Sequence, residues 1–109
     1  MRQPPYNVDA EKSVIGSILL DNQTIKLIED IINQDDFYLE AHKRIYKAII
    51  NNYKTSAIDF ITLANFFTKE ELKNIGGKVY ISELVDNIPS TIHIEHYAKI
   101  VKDYAKRAK

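Results

Sequence analysis

Apolar residues recur at helical spacing in several separate stretches of the chain. The clearest stretch is Glu40 to Lys54, whose apolar-face positions at i, i+3, i+4, i+7 and i+11 are His42, Ile45, Tyr46, Ile49 and Tyr53. This spacing places them on one face of a helix, with the lysines of the stretch on the other faces. We predict that this central helix touches most other elements. We expect His42 to be a hydrogen-bonded, half-buried structural side chain, and the preceding Asp35 and Asp36 to lie near the helix N-terminus, where negative charge is favourable.

Shorter helical stretches with recognisable caps fill the rest of the chain. Asn7 is the expected N-cap of a first helix, a short second helix is expected from Thr24 to Ile32, and Asp59 is the expected N-cap of a helix from Phe60 to Phe67. Thr68 and Glu71 have the form of a capping box, and the helix they open should end at Gly76-Gly77 in a left-handed conformation. A further helix should run from Val79 to its end at Pro89-Ser90. Because convincing strand alternation is missing, we predict an all-α fold, a compact bundle of about six or seven short helices.

Gly16 lies inside the predicted first helix, among Val14, Ile15, Ile18 and Leu19. A helical glycine costs of order 1 kcal/mol relative to alanine. We therefore expect that the absence of a side chain at this position allows another helix to pack close.

The last predicted helix starts at about Thr91 and carries a long apolar stripe. Its members at i, i+3, i+4, i+7 and i+11 are Tyr97, Ile100, Val101, Tyr104 and Ala108. The stripe continues to Ala108 without a capping Gly, Asn or Pro. This pattern predicts that the chain is a fragment cut inside a longer helix.

Composition narrows the class of protein. The 109 residues correspond to one domain, and the formal net charge is zero. That balance argues against a domain that binds nucleic acid over its whole surface. The charge is uneven, however, because residues 99–109 hold five basic residues against one acidic residue, so an acidic body precedes a basic tail. The absence of cysteine and of any long apolar run favours a cytoplasmic protein without disulfides or a membrane span.

Patterns typical of catalytic or metal sites do not emerge. The Gly77-Lys78 pair lacks the flanking residues of a phosphate-binding loop, since Leu72 and Val79 occupy the positions of the first Gly and of the Ser or Thr. His93 and His96 are two imidazoles without a third protein ligand for zinc. Adjacent carboxylates such as Glu70-Glu71 are explained by capping or solvation. We expect no catalytic, cofactor or metal site in this chain.

A series of short motifs runs through almost the whole chain. It begins with Pro-Pro-Tyr-Asn-Val-Asp-Ala-Glu at residues 4–11 and continues at residues 14–21, 36–38, 41–42, 45–46, 58–59, 62–63, 76–77, 80–81, 84, 89–90 and 97–101. Taken together, this series resembles the N-terminal domain of the bacterial replicative DNA helicase of the DnaB family. Two positions depart from the family's usual pattern, Ala57 in place of Pro and His93 in place of Asn. Both lie in connectors, so they bear on local turn geometry.

The resemblance implies a globular helical body over residues 1–92 and, over residues 93–109, the start of a long helical hairpin. A linker and a RecA-like ATPase domain would follow, and the ATPase domain is absent from this chain. In the family, the full helicase is a homohexameric ring that uses ATP and Mg²⁺ to separate duplex DNA. Its N-terminal domains form a collar that associates through the hairpins and docks the helicase-binding domain of primase. Some members also bind a helicase loader there.

From position and residue type we assign two groups of contacts within this resemblance. The exposed start of the first helix (Asp9, Glu11 and Lys12) and Tyr80 are expected to bind primase. The unfinished stripe (Tyr97, Ile100, Val101 and Tyr104) is expected to serve self-association. Because most of the hairpin would be missing, the fragment should be a monomer or weak dimer, and DNA should be bound mainly by the absent domain.

Other classes of function remain open at this point. One is a small stand-alone helical nucleic-acid-binding protein that uses the basic C-terminal helix, with Lys99, Lys102, Lys106, Arg107 and Lys109. Salt-dependent DNA binding would support it. A stand-alone adaptor of the same fold and an enzyme in its own right are the others, and turnover of a nucleotide would support the enzyme.

Overall fold

A computed structural model describes residues 6–88 and 91–107, and within these ranges the chain forms helices and no strands. The α-helices are α1 (Val8–Leu20), α2 (Ile25–Ile28), α3 (Glu40–Asn52), α4 (Phe60–Asn65), α5 (Lys69–Asn74), α6 (Gly77–Asp86) and α7 (Ile94–Arg107). Short 3-10 turns at Asn22–Thr24 and Gln34–Asp36 precede α2 and α3. The all-α prediction is confirmed, and seven α-helices in the described ranges agree with the expected number.

The predicted caps are present because their side chains satisfy backbone N–H groups that have no partner within the helix. Asn7 Oδ1 accepts a hydrogen bond from Ala10 N at 3.0 Å, and Asp59 Oδ1 accepts one from Thr62 N at 2.8 Å. Thr68 and Glu71 form the reciprocal capping box of α5. Gly76, at φ 111°, has the predicted left-handed conformation between α5 and α6.

Several boundaries differ from those expected. Helix α2 ends at Ile28 and α4 at Asn65, whereas α7 begins at Ile94. Of the acidic pair before α3, Asp36 accepts a hydrogen bond from Asn33 N at 2.9 Å and closes the preceding 3-10 turn. The expected helix end at Pro89-Ser90 and the stripe position Ala108 fall outside the described residues, as does Lys109.

Helix α1, rather than α3, is the centre of the bundle. It packs against α3, α6 and α7. Its residues 14–19 are all buried, whereas α3 buries only the predicted stripe of His42, Ile45, Tyr46 and Ile49. A helix that is packed on several sides has few solvent-facing positions for polar side chains. The run of apolar and small residues in α1 therefore identifies it as the inner helix.

Gly16 allows α1 and α6 to approach closely, as predicted. A Cβ atom at this position would overlap the backbone oxygen of Leu84 and would lie 2.5 Å from Ile88 Cδ1. The contact fixes the distance between α1 and the C-terminal half of α6. None of the helices in the described ranges has the length and apolar character needed to cross a membrane.

Candidate functional site

A groove opens between the first turns of α1, the outer face of α6 and the start of α7. It encloses about 520 Å³. Its lining combines an apolar floor with charged and amide side chains at the rim, and it consists of Asn7, Asp9, Ala10, Lys12, Ser13, Tyr80, Glu83, Leu84, Asn87, Ile88, Tyr97 and Ile100. This mixture of aromatic, aliphatic and charged groups is typical of a surface that binds another protein.

The groove brings together residues that the sequence assigned to two different roles. Asp9, Lys12 and Tyr80 were expected to contact a partner protein, and Tyr97 and Ile100 were expected to serve self-association. All five line the same groove. The spacing within each helix predicts which residues share a face, but the meeting of α1, α6 and α7 depends on how the helices pack.

The exposure of Glu11 differs from the prediction. Its side chain is buried with 1% of its surface accessible, so the prediction that it lies on the exposed start of α1 is wrong. Glu11 precedes Val14 by three residues, Ile15 by four and Ile18 by seven, which places it on the buried stripe of α1. That spacing was the signal in the sequence that could have revealed its burial.

Buried Glu11 is saturated with hydrogen-bond donors. Its Oε2 accepts from Tyr38 N at 2.8 Å, and its Oε1 accepts from Leu39 N at 3.5 Å and from His42 Nδ1 at 2.7 Å. Several donors are what a buried carboxylate requires to offset the loss of water. Glu11 therefore joins α1 to the entry of α3.

His42 extends this contact to the groove. It is fully buried, and its Nε2 lies 2.5 Å from the hydroxyl oxygen of Tyr80. The hydrogen-bonded structural role expected for His42 is confirmed, although the side chain is fully rather than half buried. Glu11, His42 and Tyr80 thus form a continuous chain of hydrogen bonds, which we call the relay.

The relay has the order carboxylate, imidazole, hydroxyl that serves nucleophilic catalysis in other proteins. Here the imidazole Nε2 of His42 binds the Tyr80 hydroxyl. Burial, followed by the charges of Glu11 and Glu83, raises the pKa of the Tyr80 phenol. The phenolate is therefore disfavoured. The arrangement is suited to holding a side chain in place.

Lys12 lies at the rim of the groove with its ammonium 5.9 Å from the centroid of the Tyr80 ring. This is within the range of a cation–π contact. Asp9 and Glu83 contribute negative charge to the same lining. The rim therefore offers both signs of charge around one aromatic ring.

The stripe of α7 is mostly used inside this domain. Ile94, Ala98 and Val101 are buried, so the expectation that Val101 packs against another subunit is wrong: it packs in the core of its own chain. Tyr97, Ile100 and Tyr104 are partly exposed. Tyr104 lies beneath the guanidinium of Arg107, with 4.9 Å between its ring centroid and Cζ.

The basic face of α7 is smaller than the sequence indicated. Lys102 Nζ lies 3.1 Å from Asp36 Oδ2, and this ion pair ties α7 to the turn before α3. One of the cations expected to follow DNA phosphates thus has an internal partner, which weakens the nucleic-acid-binding alternative. Over residues 6–88 and 91–107, we find no group of three or more His, Cys, Asp or Glu side chains that could hold a metal ion.

Comparison with known proteins adds a family relationship. The sequence profile of the family described as the DnaB-like helicase N terminal domain matches residues 3–103. The chain is 35% identical over 104 residues to the replicative DNA helicase DnaB of Geobacillus stearothermophilus, covering 94% of this chain and 23% of that protein. It is 39% identical over 104 residues to the replicative DNA helicase DnaB of Pasteurella multocida, covering 94% of this chain and 22% of that protein.

Solved structures agree with the sequence relationship. The crystal structure of the N-terminal domain of DnaB helicase from Mycobacterium tuberculosis superimposes with a TM-score of 0.89 at 33% identity, covering 96% of this chain and 78% of that one. A DnaB-like replicative helicase, whose structure was described with its interactions with primase, gives a TM-score of 0.82 at 28% identity, covering 94% of this chain and 24% of that one. The chain thus spans about a quarter of the length of the full helicases that it matches.

Proposed function

Because the chain belongs to the family of DnaB-like helicase N-terminal domains, we propose that it is the collar domain of a hexameric, ATP-dependent replicative DNA helicase. In this role it mediates subunit association and docks the helicase-binding domain of primase. The observation that carries the proposal is the groove, where Tyr80, Lys12 and Asp9 meet the apolar floor. A structural neighbour described with its primase interactions supports the choice of partner.

The groove has the chemistry of a protein-docking surface. Tyr80 and Tyr97 supply ring surface, and Ile88 and Ile100 supply aliphatic surface. Lys12 and Asp9 at the rim give charge for orientation. Tyrosine is enriched at the energetic centre of protein interfaces, and rim charges mainly affect orientation and the rate of association. A primase held on a rigid helical body has a high effective concentration beside newly unwound single strands, which couples primer synthesis to unwinding.

Self-association uses the partly exposed face of α7, which consists of Tyr97, Ile100 and Tyr104. Val101 supports this face from beneath through its place in the core. Because Tyr97 and Ile100 also line the groove, the docking surface and the self-association surface are continuous. By itself this chain forms a monomer or a weak dimer.

Further properties belong to the full-length protein. ATP and Mg²⁺ are bound by an ATPase domain outside this chain, which also makes most contacts with DNA. A helicase loader is a further candidate partner of the collar. The protein acts in the cytoplasm, where replication takes place in bacteria.

Calorimetric titration with the helicase-binding domain of primase from the same source tests the docking function. We expect saturable binding that Tyr80→Ala weakens about tenfold or more, as expected for a central aromatic contact worth roughly 1.4 kcal/mol or more. Asp9→Ala should weaken it less. Tyr53→Ala and Asp30→Ala are matched controls, because neither residue lines the groove. Absence of binding by the wild-type chain would contradict docking by this body, and unchanged affinity of a folded Tyr80→Ala variant would place the surface elsewhere.

Sedimentation equilibrium tests the self-association surface. A concentration-dependent approach to dimer that Ile100→Glu removes would support the assignment to α7. Tyr53→Ala serves here too as a control outside this face. A stable hexamer at micromolar concentration would contradict the expected monomer or weak dimer.

A further inference from the structure

The relay links the buried residues Glu11 and His42, which do not line the groove, to Tyr80, which does. We propose that Glu11 and His42 are positioning residues that hold the Tyr80 ring in the orientation that binds primase. This inference rests on the proposed docking function. The inference concerns the residues that orient Tyr80, whereas the proposed function concerns the protein that binds in the groove.

The first argument is burial. Glu11 has 1% and His42 has 0% of its surface accessible, and neither lines the groove. A partner that occupies the groove therefore touches Tyr80 and not the two residues behind it. Removing a hydrogen-bonding group from Glu11 or His42 can affect docking only through residues such as Tyr80 that they hold.

The second argument is geometry. The His42 and Tyr80 rings lie at 15° to one another with centroids 5.9 Å apart, joined through the hydroxyl and Nε2. The imidazole is itself held, since Glu11 binds Nδ1 and the Phe37 ring meets it at 78° with centroids 6.3 Å apart. The position of the Tyr80 hydroxyl is thus set by core residues. A partly exposed tyrosine without such an anchor would lose rotamer freedom on binding, at a cost in affinity.

The third argument is the direction of the hydrogen bonds. Glu11, as a carboxylate, can only accept, so His42 Nδ1 carries the proton that it donates. With a neutral imidazole, Nε2 accepts and the Tyr80 hydroxyl donates inward. The raised pKa of the phenol keeps that proton in place. Tyr80 accordingly presents its ring to the groove, with Lys12 over the ring, while its O–H is committed to the core.

Two substitutions cut the same hydrogen bond from opposite sides. His42→Asn places an amide near the position of Nδ1, which preserves a donor for Glu11 but leaves Tyr80 without a partner. Tyr80→Phe keeps the ring and removes the hydroxyl. We expect each to weaken primase binding about two- to tenfold, because a ring that is no longer held in the free chain must be immobilised when primase binds. We expect the double variant to be no weaker than the single ones, because the same link is lost.

His42→Gln is the matched control. Its longer amide reaches the position of Nε2 and can again meet the Tyr80 hydroxyl, so it should bind primase more tightly than His42→Asn. A purely structural role of His42 would not separate these two variants once urea unfolding had shown both to be folded. If His42→Asn does not fold, Tyr80→Phe carries the same test from the groove side.

Nuclear magnetic resonance of the free chain gives a readout that needs no partner. In the wild type we expect ¹⁵N shifts of His42 for a ring protonated at Nδ1, and nuclear Overhauser contacts between the Tyr80 ring and the Lys12 side chain. These contacts should weaken in His42→Asn and in Tyr80→Phe. Unchanged ring contacts in both folded variants would overturn the relay proposal.

The outcomes separate the two proposals. If the wild-type chain does not bind primase, the docking function fails, and the ring contacts alone decide whether the relay positions Tyr80. If Tyr80→Ala weakens binding while folded His42→Asn and Tyr80→Phe bind like the wild type, the groove stands and the relay proposal is overturned.

Discussion

Gly16→Ala is the substitution that most directly tests the packing of α1 on α6. In an isolated helix the change would add up to about 1 kcal/mol of stability. In this fold the new Cβ would overlap the backbone oxygen of Leu84 and approach Ile88 Cδ1 to 2.5 Å and Cγ1 to 2.7 Å. The side chain of Ile88 can rotate away, but the oxygen of Leu84 can move only with α6.

The expected result is a net loss of stability. Overpacking of a tight contact costs typically about 1–3 kcal/mol, and a backbone neighbour puts this position at the upper end. After the gain in helix propensity, we expect the free energy of unfolding to fall by about 2 kcal/mol. Domains of this size unfold with about 5–15 kcal/mol, so the variant should still fold.

Urea unfolding followed by circular dichroism measures the effect. The midpoint should fall by about 1–2 M with an unchanged slope, because a small domain loses about 1–3 kcal/mol per molar urea. In an Ile88→Ala background the loss caused by Gly16→Ala should shrink but persist, since the oxygen of Leu84 remains. Gly77→Ala is the control, because its Cβ would meet no other part of the described chain within 4 Å apart from its chain neighbours and its own helix, so the strain arises from its φ of 78° alone. A Gly16→Ala variant as stable as the wild type, or more stable, would refute the reasoning.

Three further predictions concern hydrogen bonds. Asn22→Ala should lower the free energy of unfolding, measured by urea unfolding, by about 2 kcal/mol. The reason is that the Asn22 amide donates a hydrogen bond to Ile58 O at 2.8 Å and accepts one from Ile58 N at 2.7 Å. Ser17→Ala should raise the free energy of unfolding by about 1 kcal/mol in the same assay, because the buried Ser17 hydroxyl has no hydrogen-bond partner among the described residues. Backbone hydrogen bonds lower the pKa of Asp59 and of Glu71. Each carboxylate therefore stabilises the fold above its ordinary pKa, 3.8 for Asp59 and 4.5 for Glu71, and this stabilisation is lost as the pH falls through the lower folded-state value. Asp59→Asn and Glu71→Gln should make thermal stability less dependent on pH below about 4.5.

Each of these predictions has a matched control or a contradicting result. Gln23→Ala, at the exposed position next to Asn22, should change stability by less than about 0.5 kcal/mol. A destabilised Ser17→Ala would mean that the hydroxyl has a partner in solution. For the two caps, Glu70→Gln is the control on α5, since Glu70 is exposed and lies beside the capping residue. An identical acid response in the wild type and both cap variants would contradict the assignment of the pKa shifts to capping.

Local features of this chain were predictable because they depend on residues that are near in sequence. The caps at Asn7, Asp59 and Thr68 each involve a partner three residues away. The left-handed Gly76 and the buried stripe of α3 follow from the same short-range stereochemistry. The series of motifs also carried the family relationship, because it spans almost the whole chain.

The sequence by itself thus determined an all-helical domain, most of its helices and the family to which it belongs. Only the tertiary structure decided that α1 is the inner helix, that Glu11 and Val101 are buried, and that two surfaces assigned separately share one groove. The relay joins residues 31 and 38 positions apart in the chain. Such contacts depend on how whole helices pack, which the spacing of residues within any one helix does not specify.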